Sequence, residues 1–119
     1  MKILVVDADL DLRNELYDTL REEGHDVSAT SNVETAILII KECEKNEPYD
    51  LIITERRIVN ETDGHHIIKR LQKKFVSAKA ILISDTLESE IALKTVNLIP
   101  RRSVIGFLKA IKVIRELRT

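Results

Sequence analysis

The chain has 119 residues, 44% apolar and 33% charged, with a formal net charge of −1. That length suits one domain with a real core and is short for two, and the apolar content excludes a disordered chain. Aromatic residues are only 3%, which argues against a nucleic-acid reader built on basic and aromatic side chains.

The first predicted element is Ile3-Leu4-Val5-Val6, a continuous apolar run such as a parallel strand covered on both faces carries. Acidic residues follow at once where a secretory leader would carry its cleavage site, so this is a strand and not a signal peptide. Leu12, Leu16 and Leu20 recur at helical spacing, and Gly24 is placed to end that helix. A short strand around Val27 and Ala29 comes next. Val33, Ala36, Ile37, Ile40 and Cys43 mark a second helix, stopped before Pro48. Leu51-Ile52-Ile53 is the third strand. Ile67, Ile68, Leu71 and Phe75 give a third helix, and Ala80-Ile81-Leu82-Ile83 a fourth strand. A short helix over 88–95 and a weaker strand from Val96 to Ile99 precede a closing helix marked by Val104, Phe107, Leu108, Ile111, Ile114 and Leu117.

Strict alternation of strand and helix predicts a single α/β domain over 1–119, a doubly wound parallel sheet with right-handed crossovers and helices on both faces. No run approaches the roughly 20 apolar residues that span a bilayer. Cys43 is the single cysteine. It reads as a small buried hydrophobe on the second helix, in a chain suited to a reducing cytoplasm.

The net charge conceals an asymmetry. Residues 1–50 hold 5 Lys and Arg against 13 Asp and Glu, residues 51–100 hold 8 against 6, and residues 101–119 hold 6 against 1. The basic end reads first as a solvated helix face, its cations well placed near a helix C-terminus.

A doubly wound sheet builds its sites outside the carboxyl ends of its strands. Strand 1 ends in Asp7-Ala8-Asp9, strand 3 in Thr54-Glu55-Arg56-Arg57, strand 4 in Ser84-Asp85, and strand 5 in Pro100-Arg101-Arg102. Asp9 alone would be read as a helix N-cap. Acidic groups, a hydroxyl and several arginines converging on one rim read as a site. Asp7, Asp9 and Glu55 crowded together repel one another unless compensated, and Arg56, Arg57, Arg101 and Arg102 are the available counter-charges. The adjacent pair His65-His66 does not face one way on a helix, so it reads as a solvated helix start and not as metal ligands.

In this order the segments resemble the receiver domain of two-component response regulators. KILVVDAD is similar to a receiver's opening, where the strand ends in two adjacent acidic residues. PYDLIITE resembles the third strand, with Glu55 at the position of the phosphorylated aspartate. Asp63-Gly64 matches the Asp-Gly that opens the third helix, and AILIS matches the fourth strand with its terminal Ser84. The resemblance spans nearly the whole chain. It implies the flavodoxin-like strand order 2-1-3-4-5, with the strand at 95–99 on an edge. It also implies phosphorelay signal transduction, with a histidine kinase or an output domain as partner.

The departures carry as much information. Glu55 stands in place of the aspartate, and the acidic pair has become Asp7-Ala8, with Asp9 displaced by one. Pro100, followed by Arg101, stands where the family has a lysine and a proline, and Val96 and Asn97 stand where it has an aromatic switch residue. The stretch from Ser84 to Pro100 is about a turn short, and the loop from Glu55 to Asp63 lacks the usual proline. One extra methylene at Glu55 moves the nucleophilic oxygen by on the order of 1 Å, which can cost roughly a hundredfold in rate. Ala8 removes a carboxylate from a Mg²⁺ site, and the missing lysine removes a charge-assisted donor.

The expectation is an atypical receiver that is not an enzyme and has no cofactor. Glu55 marks a degenerate phosphoacceptor position with Ser84 and Arg101 beside it, and Asp7 and Asp9 form a degenerate acidic pocket without Mg²⁺. At least one of Arg56, Arg57, Arg101 and Arg102 is expected within salt-bridge distance of these carboxylates, and Glu55 is expected to reach towards Ser84 in imitation of a phosphorylated aspartate. The alternative is a working receiver that accepts a phosphoryl group from a histidine kinase with altered site chemistry. The resemblance places the partner surface on the fourth helix, fifth strand and fifth helix. There Lys109, Lys112, Arg115 and Arg118 recur three apart as a drifting basic stripe. Such a stripe favours an acidic partner, for which the acidic first half of another copy qualifies in a weak homodimer. Neither a membrane nor a nucleic acid is expected as a partner.

Overall fold

The four apolar residues near the start of the chain have no polar neighbour to turn towards water, so the strand they form has to lie inside the sheet. A computed structural model of the chain describes residues 1–55, 64–75, 77–84, 96–100, 111–112 and 114–116, with the backbone alone at 64–66, 82, 84 and 96–100. In it β1 (Lys2–Val6) is the second strand of the sheet, and Ile3, Leu4, Val5 and Val6 are completely buried. The elements that follow are α1 (Leu10–Glu22), β2 (Asp26–Thr30), α2 (Val33–Glu42), β3 (Leu51–Glu55), α3 (Gly64–Lys74), β4 (Lys79–Ser84) and β5 (Val96–Pro100). All neighbouring strands run parallel, in the order β2-β1-β3-β4-β5. This is the expected order, with β5 at an edge one residue later than expected. The short helix expected at 88–95 lies outside the described residues.

Side chains alternate across the sheet, so each strand feeds two cores. Leu4, Val6 and Ile52 point to one face, where α2 and α3 cover them with Ala36, Ile40, Ile67, Ile68, Leu71 and Phe75. Ile3, Val5 and Ile53 point to the other, against Leu16 and Leu20 of α1 and Ile111 and Ile114. Residues 111–112 and 114–116 are helical, as expected of the closing helix there. Among the described residues no helix is long and apolar enough to cross a membrane.

The helix ends follow from local chemistry. After α1, Gly24 takes φ +90°, its N–H donates to the Arg21 carbonyl at 3.0 Å, and the His25 N–H donates to the Leu20 carbonyl at 3.1 Å. Together these bonds satisfy carbonyls that a helix C-terminus leaves over, and they need a left-handed residue at position 24. A Cβ built on Gly24 meets nothing within 4 Å, so Gly24→Ala carries only the conformational penalty. The expected loss is about 1–2 kcal/mol of unfolding free energy in urea titration.

α2 is capped by Asn32, whose side chain accepts the Thr35 N–H at 2.8 Å. Its other end is held by α3: the Lys74 ammonium donates to the carbonyls of Ile40, Lys41 and Cys43. Cys43 lies at the C-cap in an extended conformation and not within the helix as the spacing suggested. Its thiol, half-buried, donates to the Glu47 carbonyl at 3.1 Å.

Candidate functional site

Parallel register brings the carboxyl ends of four strands to one rim. Val6 pairs with Thr54, Glu55 with Ile83, and Ser84 with Pro100. The residues that leave the sheet next to one another are therefore Asp7 and Glu55, flanked by the Ser84 and Pro100 backbones. Asp7 and Glu55 are each 1% exposed. Buried carboxylates need donors, and these take theirs from two consecutive amides of the loop between β1 and α1. Glu55 Oε1 accepts the Ala8 N–H at 2.6 Å, and Asp7 Oδ1 accepts the Asp9 N–H at 2.8 Å. Both are charge-assisted bonds, of the stronger class. The Asp7 backbone is fixed as well, its N–H donating to the Thr30 carbonyl at 3.1 Å.

Asp9 serves the helix that follows. It is exposed, and its Oδ1 accepts the N–H groups of Asp11 at 3.0 Å and Leu12 at 3.2 Å as the N-cap of α1. Asp9→Ala is expected to cost about 1 kcal/mol in thermal or urea unfolding, with Asp9→Asn retaining most of it.

One residue at the rim escaped the sequence reading. Arg13, half-buried on the first turns of α1, donates from Nη1 to the Asp7 carbonyl at 2.7 Å. It brings a cation to the acidic loop from inside the domain. The available signal was its spacing, four residues after the N-cap, which turns a helical side chain back over the loop before it. Arg56, Arg57, Arg101 and Arg102 lie outside the described residues, as does the side chain of Ser84. Among the described residues no group of three or more His, Cys, Asp or Glu is arranged to hold a metal ion.

A sheet in the order 2-1-3-4-5 with buried acidic residues where β1 and β3 end is the arrangement the resemblance implied, and the sequence profile of the response regulator receiver domain matches residues 3–99. The chain belongs to that family. Solved structures agree on the fold of this receiver domain. A response regulator receiver protein from Sinorhizobium medicae WSM419 superposes with a TM-score of 0.84 at 18% identity, covering 98% of this chain and 93% of that one. A two-component response regulator from Clostridium difficile gives 0.77 at 25% identity, over 99% and 96% of the two chains. The response regulator TrrA from Thermotoga maritima, solved in complex with Mg²⁺ and BeF, gives 0.77 at 24% identity, over 98% and 97%. No curated protein matches the chain by sequence.

On the closing helix, Lys112 and Arg115 are exposed, while Lys109 and Arg118 lie outside the described residues. Arg115 pairs with Glu23 at the end of α1, Nη2 to Oε1 2.9 Å, and donates to the same oxygen from Nε at 3.2 Å. An exposed pair of this kind contributes about 0–1 kcal/mol. It ties the closing helix to α1.

Proposed function

We propose that this receiver domain is a phosphorylation-independent interaction module in two-component signalling, docking a kinase or an output domain without accepting phosphate. The observation that carries this reading is the Glu55 carboxylate, buried and accepting the Ala8 N–H at 2.6 Å. A carboxylate nucleophile must present an oxygen in line with the donor phosphoryl group. Here one of the two oxygens, Oε1, is turned onto the backbone of the neighbouring loop, which fixes the orientation of the carboxylate.

The oxygens at the rim also fit Mg²⁺ poorly, since that ion demands near-ideal octahedral coordination. Residue 8 is an alanine, Asp7 Oδ1 and Glu55 Oε1 accept backbone amides, and Asp9 caps α1. On this reading Glu55 and its amide bond hold the β1–α1 loop in one state. Ser84 and Arg101 flank the degenerate site, with Arg56, Arg57 and Arg102 as further counter-charges. The partner surface is the closing helix with Lys109, Lys112, Arg115 and Arg118. The single thiol suits a reducing cytoplasm.

Incubation with a small-molecule phosphodonor and Mg²⁺, read by intact mass, is expected to leave the chain unmodified. A phosphoryl adduct mapped to Glu55 would overturn this reading in favour of a working receiver with altered chemistry.

A further inference from the structure

Two helices on opposite faces of the sheet differ in charge, α1 bearing an exposed acidic row and α3 a basic one. On α1, Asp11, Glu15, Asp18 and Glu22 are all exposed and recur at i, i+4, i+7 and i+11, one acidic stripe about 16 Å long. Across the sheet, α2 and α3 enclose a groove of about 710 Å³ walled by Lys41, Lys45, Arg70, Lys73 and Lys74 over isoleucines of α2. Lys74 is engaged with the α2 carbonyls. Among the described residues Lys41, Lys45 and Lys73 meet no acidic side chain, and the acidic stripe forms no ion pair. Among the described residues two large apolar side chains stand exposed, one on α1 and one on α2. Leu10, 57% exposed, opens α1, and Leu38, 53% exposed, lies three residues before Lys41 on α2.

We propose that this receiver domain associates head to tail, the acidic face of α1 in one copy docking in the basic α2–α3 groove of the next. The proposal is independent of whether the carboxylate rim accepts phosphate. α1 packs on one core and α2 and α3 on the other, so the complementary surfaces cannot meet within one molecule. They meet only between copies. Because the two surfaces differ, the contact is heterologous, and repetition extends it into an open chain or, where the rotation between copies closes, a ring. A protein acid face is favoured over a nucleic acid as the occupant. The described lining holds no aromatic side chain for base stacking. A polyanion would also face the repulsion of an N-terminal half that carries 13 acidic against 5 basic residues.

Sedimentation velocity over a concentration series tests this. At roughly 10 mM salt, where charges interact over about 30 Å, the weight-average mass is expected to rise above the monomer with concentration. At about 1 M salt, where that range shrinks to about 3 Å, the rise is expected to disappear. Two charge-reversal variants, Glu15→Lys with Asp18→Lys and Lys41→Glu with Lys73→Glu, each remove one of the surfaces. Each alone is expected to stay monomeric at low salt. Their equimolar mixture retains one intact junction and is expected to form a dimer that grows no further.

Circular dichroism melts confirm that each variant folds, and Lys45→Glu with Lys73→Glu replaces the second pair if it does not. A wild type that stays monomeric at low salt overturns the proposal, as does a mixture that stays monomeric or variants that still associate alone. If the wild type is monomeric yet binds inorganic polyphosphate or single-stranded RNA through Lys41 and Lys73, the groove serves a polyanion and the proposal fails.

Discussion

Ala8→Asp combined with Glu55→Asp is expected to raise sharply the rate at which a small-molecule phosphodonor labels the chain in Mg²⁺. The gain over wild type is expected to be at least roughly a hundredfold in initial rate, because a displacement on the order of 1 Å at the nucleophile carries about that factor. Shortening residue 55 by one methylene withdraws its carboxylate from the Ala8 N–H, the bond that holds it at 2.6 Å. Adding a carboxylate at position 8 supplies the second acidic group beside Asp7, and the position is exposed, so the new charge enters solvent and not the core. Either change alone corrects one defect and leaves the other. Ala8→Asp keeps the nucleophile pinned, and Glu55→Asp keeps the acidic pair incomplete. The measurement is the time course of intact mass for wild type, both single variants and the double. A double variant as inert as wild type would place the decisive deficit at Pro100-Arg101, where no lysine stands. A wild type labelled as fast as the double would end the interaction-module reading.

The architecture was legible because it is written in local patterns. Continuous runs such as Ile3–Val6 and Leu51–Ile53 need two covered faces, and helical repeats such as Leu12, Leu16 and Leu20 lie between them. Alternation then leaves few topologies. The rim was legible for the same reason, since each candidate follows a strand end. What each side chain does there was not legible. The contact between Glu55 and the Ala8 N–H joins residues 47 apart, and no spacing rule specifies it. Asp9 satisfies both a site reading and a capping reading until its Oδ1 is seen on the Asp11 and Leu12 amides. Cys43 carries the helical period but falls one residue after α2 ends, where backbone conformation and not hydrophobicity decides. The basic groove was hidden because Lys41 and Lys45 belong to one helix end and Arg70, Lys73 and Lys74 to another. Only packing of α2 on α3 brings them together.

Leu4→Ala is expected to cost about 2–5 kcal/mol, because a fully buried leucine loses both its transfer energy and the packing around the cavity it leaves. Leu4 has no exposed surface, lies on β1 between β2 and β3, and packs in the core that α2 and α3 cover. Against a total stability of about 5–15 kcal/mol for a domain, that is a large fraction. At about 4 °C per kcal/mol for a chain near this size, the melting temperature is expected to fall by roughly 8–20 °C. Leu38→Ala is the matched control. Its side chain is half in water on α2, and alanine is as good a helix former as leucine, so stability should change by less than about 0.5 kcal/mol. The test is the urea midpoint of both variants with the slope m unchanged, so that the difference reads as native stability. A Leu4→Ala loss below about 1 kcal/mol would mean that the core around β1 relaxes into the cavity, against the close packing of its strands. A Leu38→Ala loss above that value would mean that Leu38 is packed within the domain. If Leu38→Ala leaves stability intact and weakens the concentration-dependent rise in mass at low salt, the same side chain is spent between copies and not within one.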